Sequence, residues 1–332
     1  MSEACRMAVD NAGVVVIGRN EGERLRRCLE SIAGSARSAV YVDSGSTDGS
    51  VELATSMSVA VVNLDMSIPF TAARARNAGF EALRRSTPDI TYVQFVDGDC
   101  ELAKGWIETA AGFLDAHSDV AMVCGRLRER HPERSIYNLL CDFEWDTTAG
   151  ESRACGGNAM ARVQPLESSG GYRADMIAGE EPELCVRLRS QGWKVWRLDA
   201  EMALHDAAMT RFGQWWRRSV RNGYAFAEGA YLHGKTAERH GIVESRRIWI
   251  WGAAIPLLIL AAAALSAGWG LMLLAIYPLQ VIRLTLRGKR SPIENGIWAL
   301  FNVLGKFPGL IGQARFHANR LAARDSRLIE YK

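Results

Sequence analysis

The stretch 92–96 is apolar and strand-like, and it runs into Asp97-Gly98-Asp99. Two carboxylates one residue apart, with a glycine between them, can hold a divalent cation. Mg2+ and Mn2+ favour carboxylate oxygens, and they often take only one or two from a protein while a bound diphosphate supplies others. In such a triplet one aspartate can face the metal and the other a ribose. The same residues also make an ordinary acidic turn, so their place in the fold has to decide between the two.

Three other constellations invite the same question. The loop 43–49 reads Asp-Ser-Gly-Ser-Thr-Asp-Gly. Asp43 can accept a hydrogen bond from a base edge and Ser46 can line a nucleotide pocket. These residue types also form Asx and Ser/Thr turns that cap a helix. Next, Glu180, Glu181 and Glu183 cluster where a helix begins, with Pro182 in its first turn. Acidic residues and proline are favoured there by the helix dipole and by backbone geometry. One of the glutamates can equally act as a general base whose pKa its neighbours tune. Lastly, His205 in the stretch 203–207 is a candidate extra metal ligand, or a structural histidine.

The elements that must position these residues follow from periodicity. Residues 14–18 are a continuous β-branched run, expected as a buried parallel strand. Leu25, Cys28, Leu29 and Ile32 then recur on one helical face. Strands are predicted at 38–43, 59–64 and 90–97, with a helix over roughly 71–85. This alternation implies an α/β fold with a mostly parallel sheet flanked by helices. Ligands bind such sheets beyond the carboxyl ends of the strands. Asp43 and the pair Asp97 and Asp99 stand at such ends and should converge on one crevice. Further along, helices are predicted at 104–116, 135–148 and 181–193, a strand at 120–127, and a glycine turn into a strand at 156–163.

Composition narrows the function. A net charge of +3 over 332 residues is not the signature of a nucleic-acid partner. The loop after the first strand lacks G-x-G-x-x-G, which argues against a dinucleotide oxidoreductase. Cysteines at 5, 28, 100, 124, 141, 155 and 185 include no C-x-x-C pair, so no zinc site is expected. Their odd number and scatter suit a reduced, cytosol-facing compartment. The N-terminus shows no secretory signal pattern.

From 248 to 282 there are 35 residues without a charge. One membrane helix needs about 20 apolar residues, and 266–270 interrupts the run. A helical hairpin at about 248–265 and 271–283 fits, the second arm spanning, re-entrant or interfacial. Arg246 and Arg247 precede the run, and Arg283, Arg287, Lys289 and Arg290 follow it. By the positive-inside rule both flanks face the cytoplasm. A buried core hairpin of a soluble protein is the competing reading. The tail interleaves apolar and basic residues at helical spacing, which suits helices in the membrane interface or packed on the globular domain. The expected organisation is a catalytic domain over 1–234, a linker over 235–247, the hairpin over 248–283 and a basic amphipathic tail over 284–332.

Taken in order, the segments 14–32, 41–50, 73–80, 95–99 and 179–188 resemble the family 2 inverting glycosyltransferases of GT-A fold, in their membrane-attached bacterial type. The resemblance covers about residues 10–230. It implies a nucleotide-sugar donor, UDP- or GDP-linked, in the crevice, and Mg2+ or Mn2+ as cofactor. It implies Asp43 at the nucleobase, with Arg74 or Arg76 at the base or phosphates. Asp97 would meet the ribose and Asp99 the metal, with His205, and Asp97 in part, completing the metal site. The family's acidic pair matches Glu180-Glu181, with Glu181 as the base that deprotonates an acceptor hydroxyl. The stretch 214–218 is similar to the Q-x-x-R-W box of processive synthases, but Arg218 stands in place of the final tryptophan. That departure, and the lack of four or more apolar spans, argue against a processive synthase. Gln214, Arg217 and Arg218 would cover the donor phosphates, or else simply belong to a packed helix. The resemblance thus implies transfer of a single sugar, at the inner face of the cytoplasmic membrane, to a membrane-proximal or lipid-linked acceptor in polysaccharide or glycolipid assembly. A polyprenyl-phosphate acceptor and a non-catalytic membrane scaffold are the alternatives.

Overall fold

β-Branched residues set the centre of the sheet. Val14, Val15, Val16 and Ile17 are buried on both faces, as a central parallel strand requires. The computed structural model describes residues 10–323 and 328–330. Cys5 and the N-terminal stretch examined for a signal lie outside the described residues. The chain divides into two units, residues 1–133 with 144–208, and residues 134–143 with 209–332.

The first unit opens with β1 (Ala12–Gly18), α1 (Glu23–Ile32), β2 (Ser38–Asp43), α2 (Ser50–Ser56), β3 (Ala60–Asn63), α3 (Ala72–Ser86) and β4 (Tyr92–Asp97). It continues with β5 (Cys100–Leu102), α4 (Trp106–Ala116) and β6 (Val120–Glu129). After α5 (Ile136–Trp145), most of which belongs to the second unit, come β7 (Gly150–Glu151), β8 (Ala159–Arg162), α6 (Val163–Ser168), α7 (Glu180–Ser190) and β9 (Lys194–His205). The strand order is β3-β2-β1-β4-β8-β6-β9-β5, with β7 on β9. Strands β1 to β4 are parallel, as the βαβ rhythm predicted. β8 runs antiparallel between β4 and β6, while β6 and β9 are parallel. β5 and β7 are antiparallel to β9.

Past residue 100 the pattern predicted less than the structure contains. β8 is four residues long and gives way at once to α6. β9 carries Arg197, Asp199 and Glu201, and its pairing with β6 shifts register three times. Bulges of that kind erase a clean two-residue period, so β9 left no legible signal. The helix predicted over 135–148 ends at Trp145.

Glycine fixes how closely α3 lies on the sheet. A Cβ on Gly79 would stand 2.4 Å from Val15 Cγ1 and 2.8 Å from Val42 Cγ2. That close approach is what lets α3 carry Arg76 to the strand ends.

The second unit comprises α8 (Phe212–His233), α9 (Ile242–Trp249), α10 (Ile255–Leu265), α11 (Ile276–Arg287), α12 (Pro292–Leu304) and α13 (Lys306–Leu321). A π turn at Ile250–Ala254 joins α9 to α10, and a 3-10 segment at Trp269–Ala275 leads into α11. Pro256 has no N–H to offer the preceding turn, which accounts for the irregular winding just before it. Two helical runs, Ile242–Leu265 and Trp269–Arg287, are long and apolar enough to cross a membrane. They exceed the uncharged arms read from the sequence because the flanking arginines continue the helices. α8 and α13 meet backbone to backbone: a Cβ on Gly223 would come 2.1 Å from the Gly309 carbonyl oxygen, and one on Gly312 would come 2.0 Å from that of Val220.

Replacing Gly79 by valine should force α3 off β1 and β2. Overpacking of this kind costs about 1–3 kcal/mol. The thermal midpoint of the solubilised protein should fall by several degrees, and an unchanged midpoint would show that helix and sheet can part without strain.

Candidate active site

β1 lies between β2 and β4, with Gly18 opposite Asp43 and Ile17 opposite Asp97. Neighbouring strands are about 4.8 Å apart, so the ends of β2 and β4 stand about 10 Å apart at one edge of the sheet. The strand ends that carry Asp43 and Asp97 thus meet at one edge of the sheet, as the strand pattern implied. Asp43 is buried there. Its Oδ2 accepts from the backbone N–H of Gly45 and of Ser46, both at 2.9 Å, and its Oδ1 accepts from the Tyr41 hydroxyl at 3.0 Å. The Ser46 hydroxyl accepts from Asn20 N–H at 2.9 Å, and Asn20 Oδ1 accepts from Thr47 N–H at 2.7 Å. The loops after β1 and β2 are therefore stitched into one rim.

The centre of the site is Arg76, only 2% exposed. Its Nη1 meets Glu180 Oε1 at 2.8 Å and Glu181 Oε1 at 3.0 Å, and its Nη2 meets Asp97 Oδ1 at 2.9 Å. The Tyr172 ring lies 5.5 Å from the guanidinium carbon. Burial works against the cation, but the charges of Glu181, Asp97 and Glu180 outweigh it and hold the arginine well above its ordinary pKa. Glu181 sits in the first turn of α7. Burial first, and then the charge of Glu180, push its carboxyl up to about 7, against the opposing pull of Arg76. Its folded pKa thus lies above the ordinary 4.5. The stabilising contribution is complete below pH 4.5 and is lost as the pH rises through about 7. The third glutamate of the cluster, Glu183, is turned away and pairs with Arg187 at 2.7 Å.

A second node lies on the same edge. Asp99 Oδ2 is 3.3 Å from His205 Nε2, and His205 Nδ1 is 3.4 Å from Glu129 Oε2. Glu129 is buried and its Oε2 also accepts the Ala207 N–H. Trp145 packs edge-on against the imidazole at 4.6 Å. A buried carboxylate that orients one ring nitrogen while the other faces a second carboxylate is a common arrangement around metal-ligating histidines. The donor set of Asp99 and His205 fits a divalent cation. Among the described residues the metal-capable cluster consists of Asp99, Cys100 and His205. Asp97, expected to share in metal binding, gives its Oδ1 to Arg76.

Gly157 and Asn158 hold the two nodes together, and neither was singled out from the sequence. A Cβ on Gly157 would lie 2.2 Å from Arg76 Nη2 and 2.8 Å from Asp97 Oδ2. Asn158 Oδ1 accepts the Asp97 N–H at 3.0 Å, and its Nδ2 donates to Cys100 Sγ at 3.3 Å. The glycine pair before β8 was legible as a turn. Nothing in its spacing placed it against β4.

Arg74 donates to the carbonyls of Asp65, Ile68 and Pro69 at 2.8–2.9 Å, so it anchors the loop after β3. Gln214, Arg217 and Arg218 lie on α8 in the second unit. Gln214 Oε1 accepts the N–H groups of Thr210 and Arg211, which closes the start of its own helix.

Replacing Arg76 by methionine would leave Glu180 buried without its counter-charge. Removing one partner of a buried ion pair costs about 3–5 kcal/mol. The urea midpoint should drop accordingly, with lysine at this position recovering only part of the loss. A neutral effect of the methionine would mean that the carboxylates are not held by charge.

Comparison with known proteins follows the same lines. Residues 13–166 match the family model of glycosyl transferase family 2. Glycosyltransferase AglE of Haloferax volcanii is 24% identical over 223 residues, which is 63% of this chain and 71% of that protein. Mannosyltransferase PcManGT from Pyrobaculum calidifontis, solved in complex with GDP-Man and Mn2+, superposes with a TM-score of 0.62 at 21% identity, covering 92% of this chain and 87% of its own. At that identity the likeness is one of fold.

Proposed function

We propose that this chain, which through residues 13–166 belongs to glycosyl transferase family 2, is an inverting enzyme that moves one sugar from a UDP- or GDP-linked donor to a hydroxyl of a membrane-proximal or lipid-linked acceptor. That it is a glycosyltransferase is the premise. The direction of inversion, the donor and the acceptor are the proposal. One observation carries it: the guanidinium that holds Asp97 at the end of β4 also holds Glu181 in the first turn of α7.

In this reading Asp43 and Ser46 receive the nucleobase and Asp97 the ribose. Asp99 and His205 hold Mg2+ or Mn2+. When bound, that cation supplies positive charge for the diphosphate leaving group. PcManGT, with its GDP-Man and Mn2+, supports this class of donor and metal. Glu181 takes the proton from the acceptor hydroxyl as the oxygen attacks the anomeric carbon from the side opposite the diphosphate. The new carbon–oxygen bond forms as the bond to the diphosphate breaks, so the configuration inverts in one displacement. Arg76 and Glu180 act through Glu181, setting its position and its affinity for the proton. Arg74 contributes through the loop it anchors. Gln214, Arg217 and Arg218 are assigned to the donor phosphates.

The proposed organisation keeps catalysis in 1–234, a linker over 235–247, a membrane hairpin over 248–283 and an interfacial tail over 284–332. The exposed leucines of the two apolar helices, among them Leu257, Leu258, Leu260 and Leu279, support a lipid environment. The helices are about 36 Å and 32 Å long at about 1.5 Å per α-helical and about 2.0 Å per 3-10 residue, close to the ~30 Å of a bilayer core. Arginines at both outer ends support a cytoplasmic face for the catalytic domain.

A screen of nucleotide sugars with Mn2+ or Mg2+, read as nucleotide release in membranes, tests the reading. Turnover should require Asp99 and should yield the inverted anomer. Glu181→Gln should lower kcat by about 10²–10⁴-fold. In the wild type kcat/KM should rise with pH through about 7, as Glu181 loses its proton. Failure to turn over or bind any donor would end the proposal. A wild-type-like rate in Glu181→Gln would point to a phosphate nucleophile such as polyprenyl phosphate, which needs no base.

Orientation has its own test. A cysteine placed at Leu265, the last residue of α10 before the turn between the two apolar helices, should react with an impermeant thiol reagent only from the outer side of the membrane. One at Lys289 should react only from the cytoplasmic side. Labelling of both from one side would rule out the hairpin.

A further inference from the structure

We propose that Cys100 is a ligand of the same cation, so that the site is thiophilic: it prefers Co2+, Zn2+ or Cd2+ to Mg2+. This rests on the metal role of Asp99 and His205 given above, and it adds a donor of a different chemical kind.

Three observations place the sulfur there. Cys100 stands directly opposite His205 in the antiparallel pairing of β5 with β9, and directly opposed residues project from the same face of a sheet. The sulfur, a carboxylate oxygen of Asp99 and a ring nitrogen of His205 all lie within 4.8 Å of one another. Tetrahedral ligands ~2.0–2.3 Å from a shared ion stand about 3.3–3.8 Å apart, so the Asp99 contacts already match and the sulfur and the imidazole have to draw together by up to about 1 Å. The sulfur is also already engaged with polar partners. Its S–H points to Asp99 Oδ1 at 3.5 Å, and Asn158 Nδ2 donates to it at 3.3 Å. A cation bound between sulfur and carboxylate takes the place of the thiol proton, which leaves to solvent. The Asn158 amide remains as a donor to the thiolate that results.

The consequence is selectivity. Mg2+ demands oxygen ligands and dehydrates reluctantly, whereas thiolate selects softer ions. Glu129 on the far ring nitrogen of His205 reinforces this, since an oriented, more basic imidazole also suits transition metals. The competing account is that Cys100, wholly buried, is a small apolar residue that fills the core.

Metal ions alone decide the matter, with the purified full chain. Added Co2+ should produce a thiolate-to-cobalt charge-transfer band in the near ultraviolet. Cys100→Ser should still bind Co2+ but lose the band. Its affinity for Cd2+ relative to Mg2+ should fall by at least about tenfold, the scale on which even outer-shell partners change metal binding. Asp99→Ala and His205→Ala should also abolish the band, and its survival in either would assign it to another cysteine and overturn the proposal. So would stoichiometric Co2+ binding to the wild type without a band, or a band that persists in Cys100→Ser. Should the serine variant not fold, as judged by circular dichroism, Cys100→Ala takes its place, and the wild-type band with its loss in His205→Ala still decides. If Mn2+ binds but no thiolate band forms, only this inference fails. If no divalent ion binds at all, the metal-dependent reading fails with it.

Discussion

A single buried guanidinium shared by three carboxylates holds the crevice together. Arg76 comes from α3, Asp97 from the end of β4, and Glu180 and Glu181 from the first turn of α7. Charges this well shielded from water are costly unless they are paired. Each carboxylate is therefore tied to the arginine, and the three elements are tied to each other. The arginine reaches this point only because Gly79, on the same helix, lets α3 lie against Val15 and Val42. Gly157 leaves the space into which the guanidinium fits.

The same arrangement divides the acidic residues by task. Asp97 and Asp99 are neighbours in sequence, yet their side chains belong to different nodes. Asp97 faces a fixed positive charge, while Asp99 faces a histidine. Glu180 and Glu181 are directly adjacent, but the first is almost wholly buried and the second partly exposed. A base needs access to its substrate and a pKa near the working pH. The Glu181 carboxyl is the more exposed of the pair and is pushed up to about 7, and its buried neighbour is part of the reason.

The second unit is organised by different physics. In the first, apolar side chains leave water for the interior of a sheet flanked by helices. In the second, glycines bring α8 and α13 to backbone contact, while the leucines of the two long apolar helices remain exposed.

Much of this was legible in the sequence, and the limits of legibility have a physical origin. The first four parallel strands, the helices between them, Asp43 and the Asp97-Gly98-Asp99 turn at strand ends, the acidic start of α7 and the two apolar helices all follow from short-range pattern. Periods of two and 3.6 residues, charge-free runs and turn residues are local properties of a chain. The pairing of Arg76 with three carboxylates is not local, because the four residues come from three elements joined only by the fold. Glu129 behind His205 and Cys100 beside it depend on the register of β9 against β6 and β5, while Gly157 and Asn158 between the two nodes depend on how β8 pairs with β4. Bulges set that register, and no repeat in the sequence records them. The sequence by itself determined which residues could do chemistry and which strands would carry them. Tertiary structure alone decided which charges meet, because burial and cross-strand register set the energy of a charge and neither is written in its immediate neighbours.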